Sequence, residues 1–301
     1  MHIGIIVNPR SGRNKAAILA QQCDEIARSR GHTTIVLQTD QQGNAELKAQ
    51  LRAMDRLIFV GGDGTVHHSL PQLIEHQTPF IHLATGTSNL ISKELSMPKK
   101  PDEILDWIEQ GGVAKIDVPT LDTVPFLIMA NFGMDASVIH RFESARRKSG
   151  GFRNYVQPII REMLRPGSAS LMIHVDGKPL APQRRTNLTL ANMKSYALQI
   201  NPCPHADPAD SKIDLLASNC STSIAWSLNT NLCRLRIKPP SSITAKGTSV
   251  TIESLNRPSP AQFDGEIAIT PTMPDGILHP GQAVELLIGQ HQIQFITKPV
   301  P

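Results

Sequence analysis

The feature that most constrains the fold is a series of short apolar segments in the first third of the chain, each followed by a helical pattern. Residues 3–7, 57–60 and 80–83 are too short for helices and lack a polar alternation, and residues 33–37 are β-branched. Helical spacing is found in residues 14–29, 45–54, 66–74 and 89–95. Strands that are apolar on both faces and separated by helices belong to a parallel sheet that is covered on both sides. The first third therefore predicts an α/β domain with helices on both faces of the sheet.

After about residue 118 the pattern changes to alternating segments with proline-rich connections. Leu171, Ile173 and Val175 alternate with polar residues and lead into Asp176-Gly177, a pair typical of tight hairpins. Further strands are expected at 186–191, 213–216, 250–255 and 262–269, with one helix at about 154–164. This part of the chain predicts a mostly antiparallel second domain.

Three turns rich in glycine or asparagine come directly after predicted strands, at residues 8–12, 61–65 and 86–89. The carboxyl ends of parallel strands share one edge of a sheet, where ligands bind. Glycine lets backbone N–H groups approach an anion, and a helix that follows adds its positive end. Each turn alone is also explained as a plain turn or a helix cap, but together they predict a phosphate site. A carboxylate inside such a site, Asp63, requires a cation, which points to Mg²⁺.

Other motifs leave their role open. Residues 263–266, Phe-Asp-Gly-Glu, are equally typical of an ordinary hairpin turn, and residues 131–136 could also be a structural turn. His67 and His68 are neighbours on a predicted helix and point in different directions, so a joint metal site is not expected. The pattern GxxxxGK[ST] is absent, which excludes a P-loop nucleotidase.

Composition and charge limit the partners. Aromatic residues are 4% of the chain and the net charge is +4, which argues against nucleic acid. Residues 141–165 hold seven Lys or Arg and two Glu, so this stretch is either a solvated face or a patch that meets phosphate or an anionic membrane surface. The N-terminal apolar run is too short for a signal peptide, and none approaches a membrane span. We therefore expect a soluble, cytoplasmic protein, peripheral at the inner membrane surface.

Taken together, the motifs resemble one family. They are NPRSG at 8–12, GGDGT at 61–65, GTSN at 86–89, KID at 115–117, NFGMDA at 131–136, RRKSGGFRNY at 146–155 and FDGE at 263–266. In this order they are similar to the diacylglycerol kinase catalytic family of bacterial lipid kinases, which is related to sphingosine and ceramide kinases.

The resemblance implies an α/β ATP-binding domain at residues 1–118, on which residues 286–301 pack back, and a β-sandwich-like lipid-substrate domain at 119–285. It implies that ATP is bound by Asn8, Ser11, Gly12, Gly61, Gly62, Asp63, Gly64, Thr65, Gly86, Thr87 and Asn89. Mg²⁺ would be held by Asp63 and Asp117. Asp264 would be the general base, with Glu266 beside it to orient a group or a cation.

The implied reaction is transfer of the γ-phosphate of ATP to a hydroxyl of a diacylglycerol-like, phosphatidylglycerol-like or sphingoid lipid at a transiently bound anionic membrane surface. Monomer and homodimer both remain open. The chain departs from the family pattern at Leu90, where Asp is common, at His67-His68 and at Ser211. An enzyme similar to NAD kinase and a non-catalytic nucleotide- or lipid-binding regulator remain as alternatives.

Overall fold

The structure, a computed structural model, describes residues 1–12, 14–39, 51–146, 169–180, 187–194, 196, 200–219, 223–235, 237–240 and 242–300. These residues form two compact units. The first comprises Met1–Asp117 and His291–Pro301, and the second comprises Val118–Gln290. Each unit is described by itself below.

The first unit is built on a parallel sheet in the strand order β2-β1-β3-β4. Its strands are β1 (His2–Val7), β2 (Thr33–Gln38), β3 (Arg56–Gly61) and β4 (Phe80–Ala84). All residues of β1 after His2 and all of β3 after Arg56 are buried, which requires cover on both faces of the sheet. The C-terminal segment also belongs to this unit, since Phe295 pairs in parallel with Phe80.

The helices of the first unit are α1 (Lys15–Ser29), α2 (Asp63–His67), α3 (Leu70–His76), α4 (Leu90–Glu94) and α5 (Pro101–Gln110). The prediction of one helix over residues 66–74 is wrong, because α2 ends at His67 and α3 begins at Leu70. Pro71 lies in the first turn of α3 and has no N–H to donate to a preceding turn, so the chain starts a new helix there. Of the helix expected at 45–54, residues 45–50 lie outside the described residues.

The second unit contains two antiparallel sheets. The first holds β8 (Leu171–Val175), β9 (Lys178–Pro179), β13 (Ser249–Ser254) and residues 283–287 of β17 (Ala283–Ile296). The second holds β12 (Ser242–Gly247), β11 (Ile213–Ser218), β10 (Asn187–Ala191), β7 (Met129–Phe132), β14 (Ser259–Phe263), β15 (Glu266–Ile267) and β16 (Ile277–Leu278). The remaining elements are β6 (Val124–Pro125), α6 (Met134–Arg146), α7 (Ser223–Arg234) and the second half of β5 (Val113–Leu121), a strand that begins in the first unit.

One apolar core fills the second unit. It joins Ile173 and Val250 of the first sheet to Leu188, Leu215 and Phe263 of the second, all at most 4% exposed. Two sheets that share a core in this way form a sandwich. The predicted fold class, a parallel α/β domain followed by a mostly antiparallel sandwich-like domain, is confirmed.

Two local expectations in this part of the chain have different outcomes. Asp176-Gly177 joins β8 to β9 in a hairpin, as predicted. The single strand expected at 262–269 is wrong, because Asp264 and Gly265 take positive φ angles of 53° and 87° and reverse the chain between β14 and β15. The helix expected at 154–164 and most of the basic stretch at 141–165 lie outside the described residues.

Candidate functional site

The three predicted phosphate turns meet at the carboxyl ends of the neighbouring strands β1, β3 and β4. The Thr85 hydroxyl donates a hydrogen bond to Ser11 Oγ at 2.8 Å, and the Thr85 backbone N–H donates to the Gly61 carbonyl at 2.7 Å. Thr85 therefore ties the turn after β4 to the turns after both β1 and β3. The structure brings the three turns together, as the parallel sheet predicts.

Glycine is required where these turns approach one another. A Cβ atom on Gly86 would lie 2.8 Å from the Gly62 Cα, and a Cβ on Gly12 would lie 2.7 Å from the Thr85 carbonyl oxygen. Gly12 also has a φ of +61°, which L-residues with side chains rarely adopt. The two backbones at Gly62 and Gly86 are therefore packed directly against each other, with no side chain between them.

Asp63 holds the turn after β4 by its carboxylate. Oδ2 accepts the Leu90 N–H at 3.0 Å and Oδ1 accepts the Ile91 N–H at 3.1 Å, so Asp63 caps the start of α4. The Leu90 side chain lacks the carboxylate that the family pattern has, but its backbone N–H is part of the site. Asp63 thus links the turn after β3 to the helix after β4.

The two predicted Mg²⁺ ligands differ in their fit to a cation. Each oxygen of the half-buried Asp63 carboxylate accepts one backbone bond and keeps acceptor capacity, which suits one ligand of an ion that is also bound by phosphate oxygens. Asp117 is fully buried and its Oδ1 accepts the Gln292 Nε2–H at 2.9 Å. A hydrated ion has no route to a carboxylate at zero exposure, so in this conformation Asp63 fits the ion and Asp117 does not.

The remaining predicted nucleotide residues surround this junction. Asn8 accepts the Arg10 N–H on its Oδ1 at 3.2 Å and so shapes the first turn. Gly64 and Thr65 lie in α2, directly after the glycine pair. Thr87 is exposed, and Asn89 precedes α4 with a φ of 53°.

His82 is a residue of this junction that sequence reasoning missed. It lies in β4, is fully buried, and donates from Nε2 to the Gly61 carbonyl at 3.1 Å. Burial lowers the pKa of His82, and the nearby Asp63 charge opposes this only in part. The imidazole is therefore a neutral support under the GGDGT turn. A single histidine inside an otherwise apolar strand was the available signal.

In the second unit, Asp264 is held at the hairpin turn by three backbone groups. Its Oδ2 accepts the Leu127 N–H at 2.7 Å, and its Oδ1 accepts the N–H groups of Ile128 at 2.7 Å and Met129 at 3.1 Å. The three donors fix the orientation of the carboxylate. Glu266 begins β15 on the same hairpin, is half-buried, and pairs with Phe263.

Gln262 connects the Asp264 hairpin to Tyr196. Its Oε1 accepts the Gly265 N–H at 2.8 Å, and its Nε2 donates to the Tyr196 hydroxyl at 3.3 Å. Burial raises the pKa of Tyr196, with the negative charges of Asp135 and Asp264 adding to the effect. The phenol therefore stays protonated and can donate a hydrogen bond.

Tyr196 also lines a pocket of about 50 Å³ over the outer face of the second sheet. Register places Asn131 between Thr189 and Gln262 on this face, and all three are buried. Polar pocket residues are Asp135, Asn187, Thr189, Ser218, Asn229 and Thr230. Buried polar side chains on one face of a sheet are unusual and mark a place where polar groups are bound. Of the NFGMDA motif, Asp135 thus lines this pocket and Asn131 lies beside it, next to Thr189.

Comparison with known proteins supports the family resemblance. The family model for the diacylglycerol kinase catalytic domain matches residues 2–121, which contain all three glycine turns. A diacylglycerol kinase from Mycobacterium tuberculosis (strain CDC 1551 / Oshkosh) is 25% identical over 219 residues, covering 70% of this chain and 71% of that protein. One from Staphylococcus carnosus (strain TM300) is 24% identical over 271 residues, covering 87% of each.

The fold is shared with a solved structure. A crystal structure of a diacylglycerol kinase from Bacillus anthracis is 18% identical, with a TM-score of 0.67 over 99% of this chain and 97% of that one. The enzyme class expected from the sequence, lipid kinase, is confirmed by the match of residues 2–121 to this catalytic domain. Among the described residues, no helix combines the length and the apolar character needed to cross a membrane.

Proposed function

We propose that this lipid kinase transfers the γ-phosphate of ATP to a hydroxyl group of a lipid, with Asp264 as the general base. The observation that carries the proposal is the Asp264 carboxylate, fixed by three backbone N–H groups on a hairpin that Gln262 links to a polar pocket. The Asp264 carboxylate, with its orientation fixed, can accept a proton, and the nearby polar groups can bind the hydroxyl-bearing head group of a lipid.

The donor would be bound by the first unit. The closely packed turns at 8–12, 61–65 and 86–89 present backbone at the carboxyl edge of a parallel sheet, which is where such sheets bind phosphates. We assign Asn8, Ser11, Thr87 and the glycines of these turns to ATP. Kinase families use ATP as donor, which supports this assignment.

Mg²⁺ would be held by Asp63 together with phosphate oxygens of the nucleotide. When bound, the ion neutralises charge on the transferred group. Asp63 itself has a second task that does not depend on the ion, because its bonds to the N–H groups of Leu90 and Ile91 hold the third turn in place. Asp117, being fully buried, would act on the site only through neighbouring groups.

The second unit would supply the acceptor side of the reaction. The acceptor oxygen attacks the γ-phosphorus while Asp264 takes the hydroxyl proton, the bond from phosphorus to the β–γ bridging oxygen breaks, and ADP leaves. Base catalysis of this kind contributes roughly 10²–10⁴ in rate. Glu266, on the same hairpin, would orient a group or a cation.

The acceptor class follows from names and chemistry together. The relatives in Mycobacterium tuberculosis and Staphylococcus carnosus are diacylglycerol kinases, which favours a diacylglycerol-like acceptor. Hydroxyl, amide and carboxylate groups around the pocket favour a neutral head with hydroxyl groups over a phosphate-bearing one. Phosphatidylglycerol-like and sphingoid acceptors are the alternatives to be compared.

The experiment is label transfer from γ-labelled ATP with Mg²⁺ to lipids in mixed micelles of neutral detergent. Diacylglycerol, monoacylglycerol, phosphatidylglycerol, sphingosine and ceramide are compared, with NAD as a polar control. We expect a labelled acylglycerol and no labelled NAD. Labelled NAD would support the alternative of an NAD kinase-like enzyme, and bound ATP without any labelled product would support a regulator.

A further inference from the structure

The segment around helix α7 has an unusual charge pattern. Between Asp214 and Glu253 the sequence has no acidic residue, and it carries the four basic residues Arg234, Arg236, Lys238 and Lys246. Lys246 is paired with Asp210 and Asp214, so it does not add to a free positive surface. Arg234 and Lys238 are exposed at and just after the end of α7.

Large apolar side chains are exposed at the same place. Leu228 is 54% exposed, Leu235 is 68% exposed and Ile237 is 52% exposed. Leu228 and Leu235 are seven residues apart, about two helical turns, so both lie on the same side of the helix. Three such side chains along the second half of one helix and just after its end are more than the scattered apolar residues that protein surfaces normally carry.

The backbone at the end of α7 keeps these side chains together. The Leu235 N–H donates to the Asn231 carbonyl at 3.1 Å, and the Ile237 N–H donates to the Leu232 carbonyl at 2.8 Å. The second bond spans five residues, as in a Schellman-type end, and folds Ile237 back toward the last turn of the helix. The exposed apolar groups are thus held by main-chain bonds at a fixed place.

The opposite side of α7 is already used. Asn229, Thr230 and Cys233 line the polar pocket, and Cys233 is 6% exposed. One side of the helix therefore faces the pocket that we assign to the acceptor, while the other presents apolar groups to the outside. A bilayer bound at the exposed side of α7 would therefore be separated from the pocket by this one helix.

We infer that the docking ridge, defined as Leu228, Arg234, Leu235, Ile237 and Lys238, binds the surface of an anionic lipid bilayer. This inference rests on the proposed function, since membrane binding serves the enzyme only if its acceptor substrate is a lipid of the bilayer. Apolar side chains that enter the interface and basic groups that meet anionic lipids are the combination by which peripheral proteins bind membranes.

A second copy of the chain fits the ridge less well. In a twofold contact the same patch lies on both sides, so Arg234 and Lys238 would face one another with like charge. A stable dimer also buries roughly 1,200 Å² or more, beyond what three partly exposed side chains supply. An anionic bilayer has the complementary charge and needs no matched shape.

The test measures binding of the full chain to vesicles of phosphatidylcholine with and without phosphatidylglycerol, at low and high salt. We expect Leu235→Ser with Ile237→Ser to lower the affinity by roughly tenfold or more at every salt concentration. Arg234→Gln with Lys238→Gln is expected to lower the affinity for the anionic vesicles by roughly thirtyfold at low salt and to flatten the salt dependence. Ile269→Ser is the matched control, because Ile269 is 60% exposed and lies outside the ridge.

Four results would overturn the inference. The ridge variants could bind like the parent, or Ile269→Ser could weaken binding as much as they do. Salt-dependent binding could also disappear only when basic residues of 146–153 are neutralised. A shift of the parent from dimer to monomer in the ridge variants, seen by sedimentation, would assign the ridge to a second copy instead.

The outcome is separable from that of the proposed reaction. Vesicle binding is read without ATP, so it tests the ridge even if no lipid is phosphorylated. With acceptor dispersed in neutral detergent micelles, the ridge variants should keep the parent rate of label transfer and lose rate only on vesicles. Loss of label transfer in the parent, with ridge-dependent vesicle binding intact, would refute the reaction alone.

Discussion

Replacing Asp264 with Asn tests whether this carboxylate stabilises the fold in addition to its proposed role as general base. In the parent, one oxygen accepts two backbone N–H groups and the other accepts one, from residues 127–129. An Asn amide can keep its oxygen toward the pair at Ile128 and Met129. Its NH₂ group then faces the Leu127 N–H, so that a donor meets a donor.

The magnitude follows from the three bonds. Loss of a hydrogen bond to a charged acceptor costs about 1.5–3 kcal/mol. The two bonds that remain would be neutral instead of charge-assisted, which weakens each by roughly half. We expect Asp264→Asn to lower the free energy of unfolding of the second unit by about 3–6 kcal/mol. For a unit of this size the midpoint of thermal unfolding would fall by roughly 6–24 °C.

The assay is thermal and denaturant unfolding of parent and variant, with Asp207→Asn as the matched control. Asp207 is exposed and accepts one N–H, from Ala209, within its own loop, where Asn serves equally well. A loss below about 0.5 kcal/mol for Asp264→Asn, equal to that of a surface change, would refute the structural role. Activity of the variant must therefore be read at a temperature where it is fully folded.

Three further outcomes are expected. Gly86→Ala should lower the free energy of unfolding by about 1–3 kcal/mol, because its Cβ would lie 2.8 Å from the Gly62 Cα. Gly62→Ala is the control and should leave the free energy of unfolding nearly unchanged, because its Cβ would lie 3.6 Å from the Gly86 Cα. Equal losses of the two variants in denaturant unfolding would contradict this. Burial lowers the pKa of His82 below 6.5, so the unfolded chain binds more protons than the folded one just below that pH. Stability of the first unit should therefore fall as pH drops through about 6.5, and unfolding curves of His82→Gln should show a shallower slope; an unchanged slope would exclude His82 as its source. Lys246→Met should destabilise the second unit by about 1 kcal/mol, because Asp210 and Asp214 lose the ammonium group that contacts them at 2.6 and 2.9 Å. Unchanged urea unfolding of this variant would show that the two carboxylates need no cation between them.

The parallel sheet and its three turns could be predicted from the sequence because their signals are local. An apolar run such as residues 3–7 indicates a strand buried on both faces, and a glycine turn directly after it indicates the ligand edge. The boundaries at residues 66–74 and 262–269 were wrong because single residues decided them. Pro71 restarts a helix, and Asp264-Gly265 reverses a strand.

The contacts that complete the site could not be predicted, since they join residues far apart in the chain. Asp264 accepts bonds from backbone groups at 127–129, and backbone N–H groups leave no mark in a sequence. Asp63 was interpreted as a ligand of the cation and of ATP, although its oxygens also cap α4. The polar pocket gathers side chains from β10, β11, α6 and α7, and no spacing rule connects them.

The proposed reaction moves the γ-phosphate of ATP onto a lipid hydroxyl with the help of Asp264. Its most direct test counts ADP and lipid-bound phosphate in the same reaction, for the parent and for folded Asp264→Asn. We expect one lipid phosphate for every ADP in the parent, and a roughly 10²–10⁴-fold fall of both in the variant with ATP binding retained. ADP formed without lipid phosphate, or a variant as fast as the parent, would contradict it.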